Sequence, residues 1–97
     1  MIEIEIKPRE VTIKGHAESA PSGQDLVCCA VSTLYYALVA NLLDNVKNKE
    51  DVEFDGKKGN ARVKVKDFNR ECHRSFRFFK IAVKELEKQY KKYIKIL

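Results

Sequence analysis

Two side chains suited to thiol chemistry stand twelve positions apart: His16 and Cys28. An imidazole beside a thiol makes the ion pair that cysteine hydrolases use. The thiolate attacks a carbonyl carbon, and the imidazolium protonates the leaving amine. Asp25 lies three residues before Cys28, one helical turn away on the same face. It has two readings, as a cap on a helix start or as the group that orients His16. Ser32 follows Cys28 by one turn and reads as structural or as a wall of a site. Packing is the competing account of the whole set, since most cysteines are buried hydrophobes.

The surrounding elements must bring these residues together. Ile2, Ile4 and Ile6 alternate with Glu3, Glu5 and Lys7, the pattern of a strand with one wet face. Pro8 punctuates it. Val11 and Ile13 continue a second strand that ends at Gly15 and His16, and the short link makes the pair an antiparallel hairpin. A loop of small residues follows. Ser22 with Asp25 three positions on is a capping box, so a helix is predicted from there to about Val46. The positive end of that helix would favour a thiolate at Cys28, and N–H groups near its start would suit an oxyanion. Gly23 reads as a turn residue, or as room for a substrate backbone.

Beyond the helix, Val52 and Phe54 share one face of a third strand. Ala61, Val63 and Val65 share one face of a fourth, with a turn at "DGKKGN". From Arg70 to Leu97 apolar residues recur at alternating spacings of four and three: Cys72, Phe76, Phe79, Val83, Leu86, Tyr90, Tyr93 and Leu97. This predicts one amphipathic helix to the last residue. The order β-β-α-β-β-α gives an α+β fold, a two-layer sandwich. Two helices cover one face of a mainly antiparallel four-stranded sheet. The 97 residues form a single domain, 1–97.

Composition narrows the class. Three cysteines, two of them adjacent, leave no legible disulfide framework, and that favours a reducing compartment, the cytoplasm. The N-terminal stretch alternates charge with isoleucine and does not read as a signal peptide. Leu26 to Leu43 is uncharged over eighteen residues, near the lower length for a membrane span. Ser32, Thr33 and Asn41 interrupt it, Asp25 and Asp44 bracket it, and no basic flank orients it, so a buried helix is expected. Its surplus apolar face suggests a second subunit. The net charge of +5 is uneven: residues 1–46 hold three basic and six acidic side chains, residues 47–97 sixteen and eight. That invites a nucleic-acid reading, but no recognition motif accompanies it and no specific nucleic acid is expected. Cys29, about 100° around the helix from Cys28, and Cys72 are expected in the core. His73 is expected at solvent or at the edge of the apolar stripe. No paired-ligand spacing supports a metal among His16, Cys28, Cys72 and His73, and no phosphate loop or other cofactor motif is present.

At these residues the sequence resembles the ribosomal-processing cysteine proteases of Firmicutes and related bacteria, the Prp family. The matching string is Gly15, His16 and Ala17, then Gly23 and Asp25, then Leu26, Val27 and Cys28, with Ala30 and Ser32 after. The resemblance implies Cys28 as nucleophile, His16 as base and Asp25 in support. It implies a substrate loop formed by Ala17, Glu18, Ser19, Ala20, Pro21, Ser22, Gly23 and Gln24. It also implies a homodimer that removes the N-terminal extension of a large-subunit ribosomal protein precursor, cutting after a segment that ends in paired phenylalanines. Related enzymes process phage structural proteins. The chain departs from the pattern at Cys29, where alanine is usual, and at "ESAPS", where many members carry bulkier residues. Its first hairpin is shorter and its last helix more basic. The alternative is a non-enzymatic ribosome- or RNA-associated basic module, whose binding would depend on salt and survive loss of Cys28.

Overall fold

The structure is a computed structural model. It describes residues 1–15, 22–57, 59–66 and 69–97, and for residues 22–25 the course of the backbone. The first two strands, β1 (Ile2–Lys7) and β2 (Glu10–Lys14), form the expected antiparallel hairpin, with Ile4 opposite Ile13 and Ile6 opposite Val11. Helix α1 spans Ser22–Asn45. A short 3-10 turn, Lys49–Asp51, leads into β3 (Val52–Lys57), which pairs antiparallel with β4 (Asn60–Val65). Helix α2 spans Arg70–Gln89, and β5 (Ile94–Ile96) closes the chain.

The sheet has five strands in the order β3-β4-β2-β1-β5. β4 lies antiparallel to β2, with Val11 opposite Val63, and β5 lies parallel to β1, with Ile2 opposite Ile94. Alternation puts Ile2, Ile4, Val11, Ile13, Val52, Val63, Val65 and Ile94 on one face, and all are buried. Helix α1 meets that face with Val27, Val31, Tyr35, Leu38, Val39 and Leu42, and α2 meets it with Cys72, Phe76, Phe79 and Val83. Each of these larger side chains, once fully buried, stabilises the fold by roughly 1.5–3 kcal/mol. The two-layer α+β sandwich is therefore as expected, and both helices lie on the same side of the sheet.

Two expectations about its extent need correction. The last helix does not reach Leu97. It ends at Gln89, and Tyr90 leaves the helical region with φ −130° and ψ 50°. The residues beyond form a fifth strand, absent from the four-stranded expectation. The cause is the edge of β1: without a neighbour its backbone groups would stay unpaired. Ile2 N–H instead donates to Tyr93 O at 2.7 Å, and Leu97 N–H donates to Ile4 O at 2.8 Å. Ile94 buries itself in the bargain and leaves Leu97 exposed.

The start of α2 is marked by Asn69, whose side-chain oxygen accepts from Cys72 N–H at 2.8 Å. The same side chain donates to Asn45 O at 2.8 Å, which ties the end of α1 to the start of α2. Phe54 shares the inner face with Val52 but remains exposed, because β3 is the edge strand and the helices do not cover its middle. By length and composition alone α1 is apolar enough to cross a membrane. Here its buried residues recur at helical spacing and pack into the core.

Candidate active site

Cys28 is the seventh residue of α1 and is half-buried. Its neighbour Val27 is fully buried, so the helix is rolled with Val27 into the core and Cys28 at the margin of the packing. The field of a helix end fades within its first turn, so the positive end of α1 acts on Ser22–Asp25 more than on Cys28 itself. The thiol opens on a cleft of about 230 Å³ between α1 and one end of the sheet. From the helix, Cys28, Val31, Ser32, Tyr35 and Tyr36 line it. From the sheet come Ile2 and Ile13, and the ends of β2, β3 and β4 supply Gly15, Gly56, Lys57, Gly59 and Asn60.

Gly15 is the residue just before His16, so the chain leaves β2 for His16 at the rim of the cleft that holds Cys28. Gly15 has φ +92°, a conformation that suits glycine and strains other residues. A side chain there would begin 2.2 Å from Met1 O. Its N–H donates to Gly59 O at 3.0 Å. Gly59, with φ +82°, sits in the turn of the β3–β4 hairpin. The bond continues the β2–β4 pairing, so the exit from β2 is tied to the β3–β4 turn beside it.

Of the other residues singled out in the sequence, Ser32 lines the cleft one turn after Cys28. His16, Ala17, Glu18, Ser19, Ala20 and Pro21 lie outside the described residues, as do the side chains of Ser22, Gly23, Gln24 and Asp25. The expected loop through Gln24 is shortened, since the backbone is already helical from Ser22. Gly23 is part of the first turn of α1 and not of a connecting turn. Cys29 was expected in the core, but it is exposed. One residue's rotation carries it away from the sheet, toward a side that α2 does not cover. Cys72 is fully buried, and His73 is exposed. Among the described residues, no three His, Cys, Asp or Glu side chains converge as a metal site requires.

The far wall was not read from the sequence. Tyr35 is 1% exposed, and its hydroxyl lies 2.7 Å from Arg62 O and 3.0 Å from Asp55 O. One phenolic proton serves these two strand carbonyls and locks α1 onto the β3–β4 hairpin. Burial pushes the Tyr35 phenol above its ordinary value, against the opposing effect of the hydrogen bond to Asp55 O. The paired tyrosines were the available signal, because a buried tyrosine needs a partner for its hydroxyl. The outer face of the sheet carries interleaved charges. Arg62 bonds Glu10 at 2.6 Å, and Lys66 bonds Glu53 at 3.1 Å, which holds the Glu53 carboxyl below its usual range.

A half-buried thiol in a cleft, beside the strand end that leads to a histidine, is suited to nucleophilic attack on a peptide carbonyl. The sequence model of the family described as "Cysteine protease Prp" matches residues 1–95. The ribosomal processing cysteine protease Prp of Staphylococcus aureus is 23% identical over 91 residues, spanning 93% of this chain and 86% of the relative. The crystal structure of the essential S. aureus ribosomal processing protease Prp in complex with a substrate peptide superposes with TM-score 0.80. It is 19% identical and covers 99% of this chain and 95% of that one. The same protein with a covalently linked product peptide gives 0.76 at 20% identity, covering 98% and 94%. A Streptococcus mutans crystal structure gives 0.74 at 21%, covering 98% and 89%. The structural likenesses establish the fold. The chain belongs to the Prp family of cysteine proteases, and it is a cysteine protease.

Proposed function

We propose that this chain is an endopeptidase that removes the N-terminal extension of a large-subunit ribosomal protein precursor, with Cys28 as nucleophile and His16 as base. The observation that carries the reading is the shared cleft: Cys28 opens into it, and Gly15, which delivers His16, forms its rim. Support for a peptide substrate comes from the S. aureus relative, which has been crystallised with substrate and product peptides.

In this reading His16 takes the Cys28 proton, and the thiolate adds to the scissile carbonyl carbon. The oxyanion is met by N–H groups of the first turn of α1, which have no acceptor within the helix. The imidazolium returns its proton to the leaving amine, the C–N bond breaks, and a thioester remains. Water, deprotonated by His16, then releases the acid and restores the thiol. Asp25 supports His16, and Ala17–Gln24 closes over the peptide, with its last three residues in the first turn of α1.

Two further features complete the reading. No disulfide joins Cys28, Cys29 and Cys72, which suits the cytoplasm. The exposed side of α1 away from the cleft carries Leu26, Cys29, Thr33, Ala37 and Ala40 without a charge, which suits a homodimer.

The test is cleavage of the host's ribosomal protein precursor, read by mass spectrometry, beside Cys28→Ala and His16→Ala. One cut near the precursor's N-terminus, lost in both variants, is the expected result. Cleavage that persists in Cys28→Ala would overturn the assignment. Cleavage of a phage structural protein but not of the precursor would overturn the substrate and keep the chemistry.

A further inference from the structure

The charge of this chain is concentrated in its last third. Residues 70–95 carry nine Lys and Arg against three Glu, a surplus of six, whereas the whole chain carries +5. The rest is therefore close to neutral, and the field belongs to one segment. Arg70, Arg77, Lys80, Lys84 and Lys88 fall within about 80° of arc on α2, and the row runs about 27 Å along its axis. All five are exposed. The three glutamates leave most of the row unneutralised. Glu71 lines the groove between α1 and α2, Glu87 accepts the Ile96 N–H, and Glu85 pairs with Lys88 at 3.1 Å. Among the described residues, Arg70, Arg77, Lys80 and Lys84 make no ion pair. Lys80, Lys84 and Lys88 follow one another at spacings of four, where like charges repel along a helix. A helix face that only needs to be soluble mixes the two signs. A row of one sign is relieved by an external polyanion.

We propose that this row is a docking surface for the phosphate backbone of a folded RNA, bound without regard to sequence while the Cys28 cleft takes its peptide. Lys meets phosphate as a point charge and Arg as a fork, and such contacts need no base-reading motif. A bilayer would need the apolar face of α2, but Cys72, Phe76, Phe79 and Val83 are buried in the core. Exposed Phe78 and Ile81 lie on the side of the row toward α1 and are too few to anchor the helix in lipid. RNA is favoured over an acidic protein because a ribosomal protein is assembled onto RNA, and that choice rests on the precursor-processing reading. Among the described residues, none of α2 lines the Cys28 cleft, so both surfaces can be occupied at once. RNA held on α2 keeps the protease beside precursor bound to the same RNA, which raises the effective concentration of peptide at the cleft.

Binding of a fluorescent RNA hairpin of arbitrary sequence, read by anisotropy across a salt series, tests it without requiring cleavage. The wild type is expected to bind with a Kd of roughly 1–100 µM near physiological salt. The logarithm of its affinity should fall by about three to four for each tenfold rise in salt, as four or five phosphate contacts require. The triple variant Arg77→Ala, Lys80→Ala, Lys84→Ala should bind about tenfold more weakly or worse, and its salt slope should drop by about two to three. Alanine favours helix, so α2 should stay folded. A control variant, Lys47→Ala, Lys49→Ala, Lys64→Ala, removes the same charge from exposed positions off the row and should stay close to the wild type. Equal losses in the two variants, or no binding by the wild type, overturn the proposal. So does tighter binding to phosphatidylglycerol vesicles or to poly-glutamate than to RNA. The Arg77, Lys80, Lys84 variant should cut free precursor at the wild-type rate, and loss of that cleavage overturns the separation of the two surfaces. RNA binding along the row in a protein that cuts no precursor would sink the protease reading and leave the docking surface standing. Precursor cleavage without RNA binding would do the reverse.

Discussion

The N–H of Gly15 donates to the carbonyl of Gly59 at 3.0 Å, which joins the residue before His16 to the turn of the β3–β4 hairpin. Gly15 has room for no other residue. Its φ of +92° costs a side-chain-bearing residue roughly 1–2 kcal/mol. A Cβ would also strike the Met1 carbonyl, which is backbone and cannot swing aside. Gly15→Ala is therefore expected to destabilise the protein by about 2 kcal/mol or more. Urea unfolding should show a lower midpoint at unchanged slope. Precursor cleavage by the fraction still folded should fall too, since the exit toward His16 must shift.

Tyr35 predicts an alkaline weakness. Burial holds its phenol above the ordinary 10.0, so the folded state keeps the proton where the unfolded chain has released it. Its contribution is whole below pH 10 and is lost as pH rises through the folded-state value. Tyr35→Phe removes the ionisation along with the two hydrogen bonds, at a cost of about 1–2 kcal/mol near neutral pH. The gap between the melting curves of the two proteins should narrow above pH 10. A gap that stays constant from pH 8 to 11 would contradict the role given to this hydroxyl.

Most of this fold can be read along the chain, because each element carries its own period. Isoleucines at 2, 4 and 6 have only one way to share a sheet face. The Gly-His-Ala and Gly-x-Asp-x-x-Cys string carries the resemblance to the family whose sequence model matches residues 1–95. What stayed hidden depended on partners distant in sequence. Tyr93 and Leu97 continue a helical spacing while Ile94 and Ile96 alternate as a strand. The open edge of β1, some ninety residues earlier, decides between them. Cys29 illustrates the same limit: helical geometry says it differs from Cys28, but only the placement of α2 decides which side stays uncovered.

The edge of β5 yields a third prediction. Ile96 N–H donates to the Glu87 carboxylate at 2.9 Å, so a side chain from the last turns of α2 satisfies a backbone donor that no strand pairs. A bond to a charged acceptor in a partly buried setting contributes about 1.5–3 kcal/mol. Glu87→Ala should lower stability by about that amount, and Glu87→Gln, which keeps an acceptor, by less. Amide exchange should separate local from global effects. Ile96 and its neighbours in β5 are expected to exchange faster in Glu87→Ala, with protection in β2 and β4 unchanged.

The uncharged side of α1 yields the fourth. Phe78 on α2 is 70% exposed and borders a groove formed with Leu34, Ala37 and Leu38 of α1, and Ile81 is exposed nearby. Exposed apolar surface that runs across two helices is costly to leave wet, and a second copy of the chain would cover it. Under the homodimer reading, Phe78→Glu places a charge at that seam without touching the core. It should convert the protein to a monomer at equal concentration. Its far-ultraviolet circular dichroism should stay unchanged, and its melting temperature should become independent of concentration. Sedimentation velocity of the two proteins decides the point. A wild type that sediments as a monomer throughout the micromolar range removes the dimer, whereas a variant that stays dimeric moves the interface to another face.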